Sequence, residues 1–295
     1  IFHITSELGY ETNYAGYKNI YRIHPLEWAK SSAPMAQAMK DFYPEVKSTT
    51  RFFEFGAGSV LSFNDYKTIV DKSFLADSSA IEMFNYKFLQ GDAKTSRRAP
   101  YTAVLTESLV KRVFGNADPV GKTININSDV DLDLTGVIND VPENTHIQFE
   151  MLISFSTFYK LVPEQMAANK GWMAPYTYLD IEQGKVEDVR SRFGEFQAKF
   201  YEGWDTPEKL RSEIQLALQP INEIHLESHL EQEMGENSNA SYLYIFAGVA
   251  LFILLIASVN FINLNISLAF SRIKETGLRK VMGAVRGQLI KQYMA

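Results

Sequence analysis

The chain has 295 residues, 46% of them hydrophobic and 22% charged, with a formal net charge of −6 and no cysteine. That length and apolar fraction suit one large or two small domains with a real core, and the missing cysteines exclude disulfides, thiolate zinc sites and cysteine nucleophiles. The last 25 residues carry six basic side chains against Glu275 alone, +5, leaving −11 on the preceding 270, a balance that argues against nucleic acid as a partner of the larger part.

Residues 18–24, KNIYRIH, set Ile20 and Arg22 against Tyr21 and Ile23 and predict a strand. Serine before Pro34 signals a helix start, Met35, Met39 and Phe42 share one helical face, and Pro44 stops the helix. Residues 46–55 read as a second strand, which completes a βαβ unit. The same order returns later: residues 176–182 are strand-like with Leu179 and Ile181 on one face. Val186, Val189, Phe193, Phe196 and Phe200 then trace a single helix, and Ile214, Leu216 and Leu218 alternate again. Two βαβ units so far apart imply one discontinuous subdomain with an insertion at residues 65–147.

The insertion has its own pattern. Ser78 or Ser79 is expected to cap a short helix through Phe84, and Thr106 another in which Leu109, Val110, Val113 and Phe114 face inward, ended by Gly115. Ile124 and Ile126, then Val130, Leu132 and Leu134, predict two strands around the turn Asn127-Ser128-Asp129. The fold class expected for the outer part is therefore α+β, with residues 234–241 as a polar connector.

Residues 242–270 follow, 29 in a row without a charge. A helix crosses the bilayer core in about 20 apolar residues, so this stretch is long enough to span with tilt. The twenty residues before it hold five acids and no Lys or Arg, whereas the basic excess follows it, which puts residues 271–295 in the cytoplasm and residues 1–241 outside. Asn260, Asn263, Asn265 and Ser267 lie in the cytoplasmic half. Amides are costly toward lipid, so Asn260 and Asn263, three apart, are expected to pack against another helix. Beyond the span, Leu278, Val281, Met282, Val285 and Leu289 form one apolar edge of a basic helix or helix pair, with Gly277 and Gly283 as expected breaks.

Three patterns look like chemistry and are not. GNADPVGKT, residues 115–123, has one residue too many for a phosphate-binding loop and leaves a helix to enter a strand, so it reads as a helix end, a turn and a strand start. His225 and His229 flank Glu227, but the glutamate is misplaced for a zinc protease and no third ligand is evident; a solvated acidic segment is the simpler reading. His3, His24 and His146 are isolated and read as surface or turn histidines. No residue is nominated as catalytic, metal-binding or cofactor-binding.

The strings carry a family resemblance. SRIKETGLRKVMGAVRGQLIKQ after a span ending in NFINL resembles the cytoplasmic stretch of FtsX-like permeases, the membrane subunits of type VII ABC transporters. KNIYRI, SAPMAQAMKDFYPEV, VLTESLVKRVFGNADPVGKTI and LTGVINDVPENTHIQFEMLIS resemble the MacB-like periplasmic core domain, in the same order. The resemblance implies a porter-like periplasmic subdomain at residues 11–64 and 148–233, interrupted by a Sabre-like module at 65–147. Residues 1–10 would be the exit of a first span, and residues 271–295 would lead toward a third. It implies an inner-membrane permease that couples ATP hydrolysis to movement of its periplasmic domain, for export, lipoprotein release or cell-envelope regulation, with no catalysis of its own. Lys274, Glu275, Gly277, Leu278, Arg279, Lys280, Val281, Met282, Gly283 and Ala284 would form the coupling helix. The implied partners are an ABC ATPase that holds ATP and Mg, a second permease copy or paralogue, the lipid bilayer, and a periplasmic cargo or adaptor. Two rivals remain: a membrane-bound sensor signalling through one helix, which would continue into a heptad-patterned helix, and an anchored outer hydrolase, which would need a polar pocket.

Overall fold

Strand alternation and helix periodicity are realised in a mixed α/β unit, and the computed structural model describes residues 7, 9–14, 16–25, 27–56, 58–92, 99–203, 215–283 and 287. His3, Ile214, Ala284, Val285 and Leu289 lie outside the described residues, as do the side chains of Glu275 and Arg279. The chain divides into two compact units, Ile1–Asn239 and Ala240–Ala295.

The first unit contains β1 (Ile20–Pro25), α1 (Met35–Phe42), β2 (Val46–Glu54), β3 (Ser59–Phe63), β4 (Tyr66–Val70), β5 (Ser73–Ala76), α2 (Ser79–Met83), β6 (Phe88–Gly91) and β7 (Thr102–Thr106). It continues with α3 (Glu107–Phe114), β8 (Thr123–Ile126), β9 (Val130–Ile138), β10 (Met151–Ser154), α4 (Phe158–Leu161), α5 (Glu164–Ala167), β11 (Tyr176–Ile181), α6 (Val186–Ser191), α7 (Phe193–Phe200), β12 (Leu216–Pro220) and α8 (Ile221–Glu227). All these strands join one sheet in the order β12-β1-β11-β2-β5-β10-β7-β9-β8-β3-β4, with β6 added beside β9.

The two expected βαβ units are interleaved. Antiparallel pairing of β1 with both β11 and β12, and of β11 with β2, makes β1 parallel to β2 with β11 between them, and β11 parallel to β12 with β1 between them. Each unit is thus split by a strand of the other. One face of these four strands is covered by α1, α6 and α7 through a core that includes Ile23, Met35, Met39, Leu179, Phe196 and Leu218. The single helix expected over residues 186–200 is two helices, broken at Arg192, whose φ is −103° and ψ 11°. The apolar face still works, because Val189 and Phe196 are both buried.

The remaining strands bury Leu61, Val70, Leu105, Ile124, Ile126, Leu132 and Leu134 against Leu109 and Phe114 of α3. β3, which precedes residue 65, pairs with β4 and β8. Asn127 and Ser128 take positive φ, 54° and 60°, in the tight turn between β8 and β9. The expected serine and threonine caps are not made: neither Ser78 nor Thr106 gives a side-chain cap, and the Ser79 hydroxyl donates to the Thr49 carbonyl. The carboxylate of Asp140 caps α3 instead, accepting from Ser108 N–H at 2.9 Å and from the Ser108 hydroxyl at 2.6 Å. Gly115 ends α3 and residues 123–126 begin a strand, so no helix N-terminus follows GNADPVGKT.

Antiparallel pairing of β2 with β5 joins the two halves of the sheet. Arg51 braces this seam: it donates to Asp77, to the Ala33 carbonyl and to the Tyr159 hydroxyl, and its guanidinium lies 3.8 Å from the centroid of the Phe155 ring.

The second unit is dominated by α9 (Ala240–Val281), 42 residues long. Its stretch Ala240–Phe270 is long and apolar enough to cross a membrane. Gly277 does not break it, contrary to expectation, whereas Gly283 follows its end with φ +94°.

Candidate functional site

Strand alternation sends Ile20, Arg22 and His24 of β1, and Tyr176 and Tyr178 of β11, to the face opposite α1, α6 and α7. That face is covered by the short helices α2 and α8 together with chain segments that include residues 9–14, 144–147 and 228–238. Its apolar part includes Tyr14, Phe52, Phe84, Ile221, Ile224 and Met234. Phe52, Phe84 and Tyr178 meet edge to face at 5.7, 5.9 and 5.6 Å between centroids, a geometry worth about 0.5–1.5 kcal/mol per pair beyond area burial.

Within this layer lie a buried ion pair and a buried hydrogen-bonded network. Arg22, fully buried, grips Glu233 with both terminal nitrogens, Nη1 to Oε2 at 2.5 Å and Nη2 to Oε1 at 2.8 Å, and also donates from Nη2 to Gln219 and Ser228. The Ser228 hydroxyl donates to the same carboxylate. Burial pushes the Glu233 carboxyl up, but the Arg22 hydrogen bonds and charge, together with Ser228, outweigh it and hold it below the usual glutamate value. Removing one partner of such a pair strands a buried charge, at a cost of about 3–5 kcal/mol.

The second group is centred on His146. Its backbone N–H and its Nδ1 both lie 2.6 Å from Glu11 Oε1, and its Nε2 lies 2.6 Å from the Tyr178 hydroxyl. Glu11 Oε2 accepts from Thr145, whose hydroxyl accepts from Tyr14. Burial pushes the Tyr178 phenol well above its ordinary range, so it stays protonated. Glu11 itself is fully buried and has φ 62°, a left-handed backbone that costs a non-glycine residue about 1–3 kcal/mol.

The histidine expectations need correction. His24 and His146 are buried, not surface residues, because each finds an acceptor inside: His24 Nδ1 donates to the Pro25 carbonyl at 2.7 Å. His225 is also buried, on α8, where its ring stacks on Tyr10 at 3.5 Å and its Nε2 lies 2.8 Å from Glu7. His229 lies beyond the end of α8, so the two imidazoles do not share a helical face. Among the described residues no group of three or more His, Asp or Glu side chains could hold a metal.

The residues nominated from sequence lie in the other unit. Asn260 and Asn263 are exposed on α9, and Lys274, Gly277, Leu278, Lys280 and Val281 continue the same helix, with Met282 and Gly283 just past its end. The amide of Asn265 is satisfied within the helix, donating to the Phe261 carbonyl at 2.9 Å. Sequence reasoning did not single out Arg22, Glu11 or Glu233, and it read His146 as a surface or turn histidine. A charged residue inside the apolar run IYRIH was the available signal for Arg22.

The MacB-like periplasmic core domain family matches residues 6–193. An uncharacterized ABC transporter permease of Bacillus subtilis, YknZ, is 21% identical over 199 residues, which cover 65% of this chain and 43% of that protein. The chain therefore spans less than half the length of this relative. A solved domain from Porphyromonas gingivalis, designated a permease domain, aligns over 70% of this chain and 92% of its own with a TM-score of 0.60 at 21% identity, a likeness of fold. The periplasmic region of MacB from Actinobacillus actinomycetemcomitans aligns over 70% and 90% with a TM-score of 0.49 at 14% identity. With the family match covering most of the outer unit, the chain belongs to the ABC transporter permeases that carry a MacB-like periplasmic core domain.

Proposed function

We propose that this chain is a mechanotransmitting part of an ABC permease. A cytoplasmic ABC ATPase, holding ATP and Mg, moves the region around Lys274 to Ala284, and α9 passes that movement to a periplasmic domain that acts on a cargo or adaptor. The process served is export, lipoprotein release or cell-envelope regulation. The permease lies in the inner membrane, pairs with a second copy or paralogue, and performs no covalent chemistry. Within the outer unit the porter-like part is residues 11–64 and 148–233, and the Sabre-like module is residues 65–147.

The observation that carries this reading is the continuity of α9. At 1.5 Å per residue its 42 residues reach about 63 Å, enough to cross the roughly 30 Å hydrocarbon core and extend beyond it without a joint. A helix unbroken through Gly277 also suits the sensor reading, but Gly283, left-handed just past Val281, interrupts the continuous helix that a heptad-patterned signalling element needs.

The test is purification of the full-length permease in mild detergent, with mass spectrometry and an ATPase assay on what accompanies it. A stoichiometric ABC ATPase whose association fails in Met282→Asp is the expected result. A kinase partner, or an ATPase that couples normally to Met282→Asp, would overturn the reading.

A further inference from the structure

Residues 228–238 run directly into α9, and their fastenings to the sheet are unusually directional. Glu233 is forked by Arg22 of β1, the Gln232 carbonyl accepts from the Tyr176 hydroxyl of β11 at 2.9 Å, and Glu231 exchanges backbone hydrogen bonds with Glu27 and Ala29 just after β1. The opposite arm, residues 9–14, is fastened to the same rung from the other strand: Glu11 holds His146, which meets Tyr178, and Tyr178 stands opposite Arg22 in the β1–β11 register. Each arm contains left-handed, non-glycine backbone, φ 62° at Glu11 itself and φ 57° at Gln232, the residue before Glu233. Such backbone persists where surrounding contacts over-determine it.

An apolar filling would cover this face with equal or better stability than buried charges. What it would lack is resistance to sliding, which a forked guanidinium–carboxylate pair provides through its geometry.

We propose that Arg22–Glu233 and Glu11–His146–Tyr178 form a mechanical clasp that locks the chain segments at the edge of the outer unit onto β1 and β11, so that displacement of α9 moves the sheet and is not absorbed in the connector. The clasp rests on the mechanotransmission reading. Its action needs both ties shut throughout the cycle. Residues 228–238 then behave as part of the sheet, not as a hinge.

The experiment is hydrogen exchange on the full-length permease assembled with its ATPase in lipid nanodiscs, with and without a non-hydrolysable ATP analogue. In the wild type, nucleotide is expected to change exchange in residues 228–238 and also in β1 and β11. The variant Arg22→Met/Glu233→Leu removes both charges and strands neither; it should confine the nucleotide response to residues 228–238 and reduce coupled transport about tenfold. The swap Arg22→Glu/Glu233→Arg should restore the response in β1 and β11. A folded double variant whose β1 and β11 respond like the wild type overturns the clasp while leaving the permease reading intact. A wild-type complex that ignores nucleotide overturns both. If the double variant does not fold, Arg22→Lys, which keeps the charge but cannot fork the carboxylate, takes its place: a response confined to residues 228–238 supports the clasp, and a wild-type response in β1 and β11 overturns it.

Discussion

Arg51 and Asp77 are joined by two parallel hydrogen bonds, Nε to Oδ2 at 2.8 Å and Nη2 to Oδ1 at 2.9 Å, across the seam where β2 meets β5. The pair is partly buried, with side-chain exposures of 12% and 24%, so its charges are poorly screened. Arg51→Lys keeps the charge but loses the fork and the stack on Phe155. It should cost about 1–2 kcal/mol, and Arg51→Ala about 3 kcal/mol, read from denaturant midpoints. Equal midpoints for all three proteins would mean that the seam is held by strand pairing alone.

Acid sensitivity should trace to Glu233. Its folded carboxyl titrates below the ordinary value of 4.5. The stabilisation it provides is therefore complete above pH 4.5 and is lost as pH falls through the lower folded value. In Glu233→Gln the stability profile below pH 4.5 should be flatter than in the wild type, though the protein is weaker at neutral pH. Parallel profiles measured by chemical denaturation from pH 3 to 7, a span of about four units of the kind over which carboxylates titrate, would remove Glu233 from the acid response.

Two glycines let β6 lie against β9. A Cβ on Gly91 would stand 2.3 Å from the Thr135 carbonyl oxygen, and its φ of +85° already disfavours a side chain. A Cβ on Gly136 would meet the Phe88 ring edge at 2.5 Å. Gly91→Ala should cost about 2–3 kcal/mol because backbone must move and left-handed strain is added. Gly136→Ala should cost less, since a side-chain ring can turn aside. Thermal melts that rank the two the other way would place the tight contact elsewhere.

In the apolar stretch of α9, Asn260→Leu should disturb assembly or transport more than Ile253→Leu, because a polar amide at membrane depth is retained where it meets a partner helix. Blue-native electrophoresis and transport assays check this. Equal tolerance would mean that Asn260 has no such partner.

The legible parts of the fold are those set by neighbours in sequence. Ile124, Ile126, Leu132 and Leu134 announce β8 and β9, and Leu109, Val110 and Phe114 announce the buried side of α3. The interleaving of β1, β11, β2 and β12 is not legible, since Tyr21 pairs with Leu179 and with Pro220, partners that no local pattern specifies. The site is hidden for the same reason. Arg22 becomes tolerable inside only because Glu233 arrives from 211 residues away, and His146 because Glu11 arrives from 135 residues away. Gly277 misleads in the opposite direction: its cost of about 1 kcal/mol is small beside the cooperativity of a helix already propagating through dozens of residues.

The splitting of each βαβ unit by a strand of the other has a consequence for biosynthesis. β1 and β2 cannot pair with one another and must wait for β11, which begins 122 positions after Glu54 ends β2. At about 5–20 residues per second, translation leaves these two strands without their shared neighbour for roughly 6–25 s. During that interval the segment from β2 to β10 already has every strand of its own part of the sheet, since β2 pairs with β5. It can therefore consolidate first, and β1, the earliest-made strand, whose partners are β11 and β12, is among the last to find its place.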